Sequence, residues 1–66
     1  MHTWYVYCYG RALGSVHEDS EASARCAALS KFAIAQEDWD AMDAVQRQQA
    51  AAHGIAPQAD FSVRQA

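Results

Sequence analysis

A chain of 66 residues with five Lys/Arg, eight Asp/Glu and a formal charge of −3 has room for one small domain. A domain of this size buries only about 60% of its unfolded surface, which leaves hardly any space for a core plus a deep substrate pocket of ~300–1,000 Å³. The acidic balance excludes the basic stripe of a dedicated duplex-DNA binder, and a hydrophobic fraction of 52% argues against a disordered chain.

The chain opens with "TWYVYCY", residues 3–9, strong β-formers in strict alternation. Successive strand side chains point to opposite faces, so Trp4, Val6 and Cys8 form one face and Tyr5, Tyr7 and Tyr9 the other. Gly10 then supplies the positive φ of a hairpin turn. Residues 12–17 read as a second strand in which Leu13 and Val16 fall on opposite faces unless a bulge near Gly14 brings them together.

From Glu18 the hydrophobic period changes to that of a helix. Asp19 or Ser20 is the expected N-cap, and Ala22, Cys26, Leu29 and Ala33, with Phe32 beside them, mark the expected inner face. Residues 36–54 read as a second helix, with Asp38 as N-cap and Gly54 as C-terminal stop. Trp39, Met42, Val45 and Gln49 or Ala50 mark its inner side. Residues 54–59 read as a linker, and residues 60–66 as a third strand pairing with the first. The expected fold class is α+β: a three-stranded antiparallel sheet with two helices in the order ββααβ, the helices mainly on one face, over a single domain spanning 1–66.

Two surfaces stand out. The tyrosine face, with Ser62 and Arg64 beside it, offers aromatic contact area for a partner, for self-association as a homodimer, or for stacking of single-stranded nucleic acid. The stretch "EDWDAMD", residues 37–43, places Glu37, Asp38, Asp40 and Asp43 within seven positions with no basic residue among them, half of all the acids in the chain. One or two acids suffice to cap a helix. Four beside Trp39 and Met42 suit a surface that presents charge to a basic groove, in the way nucleic-acid phosphates do.

Catalytic and metal chemistry find no support. The spacing of the acids is not that of a calcium loop, and His2, His17 and His53 are scattered. A Cys8–His17 pair would need the thiol in an electropositive setting, which its apolar face does not offer. No phosphate-binding glycine loop or nucleophile elbow is present, so the reading is of a protein that is no enzyme and needs no cofactor. Cys8 and Cys26 form no CxxC and are expected to be reduced and buried. The N-terminus carries no signal-peptide pattern and no stretch reaches ~20 apolar residues, so a cytoplasmic, membrane-free location is expected.

Trp4, Val6, Gly10, Leu13, Gly14 and Val16, followed by "SEASAR" and "AA", resemble the short ββα modules of phage and mobile-element proteins over the first half of the chain. In size, charge and lack of catalytic motifs the chain is similar to anti-CRISPR inhibitors. That resemblance implies binding to a CRISPR effector subunit at a basic, DNA-contacting surface. The acids Glu37, Asp38, Asp40 and Asp43 would then imitate phosphates, while Tyr5, Tyr7 and Tyr9 supply apolar contact or a dimer interface. The alternative is a single-stranded nucleic-acid-binding module that uses the tyrosine face with Arg11 and Arg64, or a structural homodimer subunit.

Overall fold

The structure, a computed structural model, describes residues 1–66. Strand β1 (His2–Cys8) lies at the centre of the sheet, with β2 (Arg11–Glu18) on one side and β3 (Phe61–Gln65) on the other, all antiparallel. Helices α1 (Glu21–Phe32), α2 (Gln36–Asp40) and α3 (Ala44–Ala51) occupy the chain between β2 and β3. The α+β class and the ββααβ order are those expected, with the second helical segment divided in two.

The turn between β1 and β2 is made by Tyr9 and Gly10, with φ of 53° and 74°. Positive φ at both central residues is the signature of the two-residue turn whose twist matches the flanking strands. Tyr9 therefore belongs to the turn and not to the strand. In β2 the register slips opposite Val6 and Tyr7, whose partners are Gly14 and Ala12. Leu13 is the extra residue, and the slip lets both Leu13 and Val16 reach the core. The bulge expected from sequence is thus present.

Trp4, Val6 and Cys8 are buried beneath α1, as their alternation predicts. The core joins Trp4, Val6, Val16, Ala24, Ala28, Ile55 and Val63, and the Trp4 indole donates a hydrogen bond to the Glu18 carbonyl at 3.0 Å. Ser20 caps α1 by accepting from the Ser23 amide at 3.2 Å. The buried stripe of α1 is Ala24 and Ala28, not the expected line through Cys26 and Leu29, both of which are exposed. Alanines at 22, 24, 27 and 28 ring the helix, so periodicity sets its phase poorly. Packing settles it instead: the small side chains of 24 and 28 admit the helix close to the sheet, while Phe32 and Phe61 fill the periphery.

The break between α2 and α3 also has a local cause. Asp43 holds an extended backbone, its carboxylate accepts from the Gln46 amide at 2.8 Å, and the Gln46 side chain accepts from the Asp43 amide at 3.0 Å. This reciprocal capping starts a new helix in place of continuing the old one. Asp38, expected as the cap, lies inside α2, whose N-cap Ala35 offers no side-chain bond. With the helical phase reset, Val45 is 63% exposed and not inward. Gly54 is not a left-handed helix stop, since α3 ends at Ala51 with Ala52 as its cap. It is buried by close approach: a Cβ there would lie 2.9 Å from the Phe32 carbonyl oxygen.

The expected linker contains a core residue. Ile55 is 3% exposed and bridges to Ala33, with Ile34 N–H donating to Ile55 O and Ile55 N–H to Phe32 O, each at 2.9 Å. These bonds form a neck, and the α2–α3 arm leaves and returns through it. The sheet packs against α1 and makes at most marginal contact with α2 or α3. The radius of gyration of 12.1 Å exceeds the ~11 Å expected for a chain of this length, as a projecting arm requires. No helix is long and apolar enough to cross a membrane.

Candidate functional site

The tyrosine face is the face of the sheet that α1 leaves open. Across β1–β3, Tyr7 pairs with Ser62 and Tyr5 with Arg64, which places these four on one surface. Tyr5 is 44% exposed and Tyr7 half-buried, while Tyr9 stands almost free in the turn. Thr3 Oγ1 and His17 Nδ1 lie 3.1 Å apart at the far end of the hairpin, so His17 faces Thr3 and not Cys8.

At the turn end of this face lies a hollow of about 390 Å³, lined by Tyr7, Tyr9, Gly10, Asp60, Phe61, Ser62 and Arg64. The hollow is not carved from the core; it is open-sided and forms where the projecting turn overhangs the start of β3. Tyr9 supplies one wall because positive φ turns it out of the strand. Sequence reasoning placed Tyr7, Tyr9, Ser62 and Arg64 together but missed Asp60 and Phe61. The third strand returning to pair with β1 beside the turn was the available signal for Phe61; Asp60, just before the strand, had none.

The second surface is the arm. Glu37, Asp38, Asp40 and Asp43 are all exposed, but they are not equivalent. Asp43 is committed to the capping box, and Asp40 accepts from the Gln36 side chain at 2.9 Å. Glu37 and Asp38 lie in the first turn of α2. None of the four is in an ion pair, since the single ion pair of the chain joins the Met1 amino group to Asp19 at 3.3 Å. Three of the five cations are bonded to backbone carbonyls, and one of them, Arg47, lies within the arm itself. Arg25 donates to the Phe61 carbonyl and lies over its ring, Lys31 donates to the Ser15 carbonyl, and Arg47 donates to the Trp39 carbonyl at 3.0 Å and sits 5.3 Å from the centre of its indole. Trp39 is half-buried, serving as the clasp between α2 and α3.

Cys8 is buried on the core side and its thiol donates to the Asp60 carbonyl at 3.4 Å. Burial, with a smaller contribution from the Asp60 carboxylate, pushes its pKa above the ordinary thiol value. Both effects disfavour a thiolate nucleophile. Both cysteines are free, and Cys26 is exposed where burial was expected. No group of three or more His, Cys, Asp or Glu side chains is gathered closely enough to hold a metal ion.

No family model, curated protein or solved structure matches the chain.

Proposed function

We propose that this chain is a non-catalytic inhibitor or adaptor that binds a basic, nucleic-acid-contacting surface on a host complex in the bacterial cytoplasm. A CRISPR effector subunit is the target that its resemblance to small acidic phage proteins suggests. The observation that carries the reading is the acidic excess of the arm, four carboxylates against the single cation Arg47. Glu37, Asp38, Asp40 and Asp43 stand exposed on a projection, and no cation of the chain pairs with any of them. Carboxylates outside any ion pair keep their field for an incoming partner, and complementary potential of this kind speeds association by ~10–10³-fold at low salt.

The test is a pull-down from bacterial lysate, read by mass spectrometry. Wild type is compared with a folded variant carrying Glu37→Gln, Asp38→Asn and Asp40→Asn. Asp43 stays untouched because it caps α3. A nucleic-acid enzyme held by wild type, released by salt, displaced by duplex DNA and lost in the variant is the expected result. Equal capture by both proteins refutes phosphate mimicry.

A further inference from the structure

The hollow beside the turn carries an inference separate from the charge of the arm. Its lining combines two exposed polar features of opposite sign with aromatic walls. Arg64 and Asp60 both face the space, neither side chain has a hydrogen-bond or ion-pair partner in the chain, and the two do not pair with each other. They lie four residues apart along an extended segment, about 13 Å between Cα atoms. Between them the walls are Tyr7 and Tyr9, whose hydroxyls are likewise unbonded within the protein. A complementary ligand is a flat ring with N–H donors on one edge and an anion at the other end. An aromatic amino acid does not meet this description, because both its charges sit on one carbon. A sugar phosphate has only a saturated ring, with no flat aromatic face and no N–H donors.

We propose that the hollow binds one nucleotide unit, its base against Tyr7 and Tyr9, its donor edge toward Asp60 and its phosphate on Arg64. Guanine is the preferred base, because it offers two adjacent N–H groups that one carboxylate accepts in parallel. The same chemistry is available from a free mononucleotide or from a nucleotide within a single strand, and stacking on tyrosine serves either.

The experiment is an amide NMR titration of the ¹⁵N-labelled full chain. GMP is added first, then AMP, guanosine, ribose 5-phosphate and a short guanine-containing single-stranded RNA. GMP is expected to give saturable shifts at Tyr9, Gly10 and Ser62, with AMP and guanosine each weaker by about tenfold. Arg64→Gln should make GMP and guanosine equal, and Asp60→Asn should make GMP and AMP equal. Tyr9→Asn, which keeps the turn, should weaken all ring-bearing ligands together. All three positions are exposed, and the spectrum of each variant reports its fold directly. A tighter response to the RNA at the same amides assigns the ligand to a single strand, whereas an unchanged response assigns it to the free nucleotide; both uphold the site. Absence of saturable shifts at these amides with GMP overturns the proposal. So does an equal response to ribose 5-phosphate, which would make the hollow a site for an adventitious ion only.

Discussion

The ring of Phe32 fills the space that any side chain at Gly14 would need: a Cβ built at Gly14 lies 2.7 Å from Phe32 Cζ. The last turn of α1 is thereby seated on the bulged segment of β2, through a contact that sequence spacing does not display. Gly14→Ala should destabilise the fold by about 1–3 kcal/mol, through this overpacking and through the positive φ of 157° at Gly14. Chemical denaturation checks this. The Gly14→Ala, Phe32→Leu double variant should be less unstable than the sum of the single changes, because the smaller side chain relieves the clash.

Tyr9 adopts a left-handed backbone at φ 53°, a conformation that costs an ordinary L-residue about 1–2 kcal/mol and that asparagine tolerates. Tyr9→Asn should therefore stabilise the hairpin by about 1 kcal/mol in urea denaturation. A tyrosine at this strained position fits a surface role for its ring.

The acids of the arm should separate into structural and non-structural members. Asp43→Ala removes the capping box and should cost α3 about 1 kcal/mol, seen as faster hydrogen exchange at the Gln46 amide. Asp38→Asn should change that exchange by a few tenths of a kcal/mol at most, the scale of a charge near an exposed helix terminus.

The cysteines should differ in the folded protein. At mildly alkaline pH a thiol reagent should modify Cys26 rapidly and reach Cys8 only after unfolding, since Cys8 is buried and its ionisation is disfavoured. The same shift predicts a pH dependence. The folded pKa of Cys8 lies above the ordinary value of 9.0, so near and above pH 9 the unfolded chain loses this proton more readily than the native one. The contribution is intact below the unfolded pKa and declines as pH rises toward the folded pKa. Cys8→Ala should flatten that alkaline decline in a pH series of denaturation curves.

The sheet was legible because its signals are local. Alternation through Trp4, Val6 and Cys8 marked the buried face, Gly10 marked the turn, and the mismatch of Leu13 with Val16 implied the bulge. The helices were less legible for two reasons. Alanine on every side of α1 leaves its rotation to tertiary packing, which selected Ala24 and Ala28 over Cys26 and Leu29. The α2–α3 break depends on a contest between two N-caps, and the reciprocal Asp43–Gln46 pair prevails over Asp38. Ile55 is not marked by pattern because the two residues Ile55 and Ala56 between Gly54 and Pro57 are too few to show a period, and its burial is decided by a bridge to the distant Ala33. At the candidate site, Tyr5, Tyr7 and Arg64 could be placed on one face by parity alone, whereas Tyr9 reaches the hollow through the turn. The contribution of Asp60 required knowing how the turn overhangs the third strand.

The neck at Ile34 and Ile55 makes the arm a cassette. Its two ends are already joined by backbone hydrogen bonds, so a short turn between them would close the chain over the same base while β1, β2, α1 and β3 kept their core. Evolution can thus rewrite residues 35–53 wholesale, in length as well as in charge, without renegotiating the sheet. Insertions, deletions and charge changes should be best tolerated there, and an engineer could graft a different segment at the same two positions.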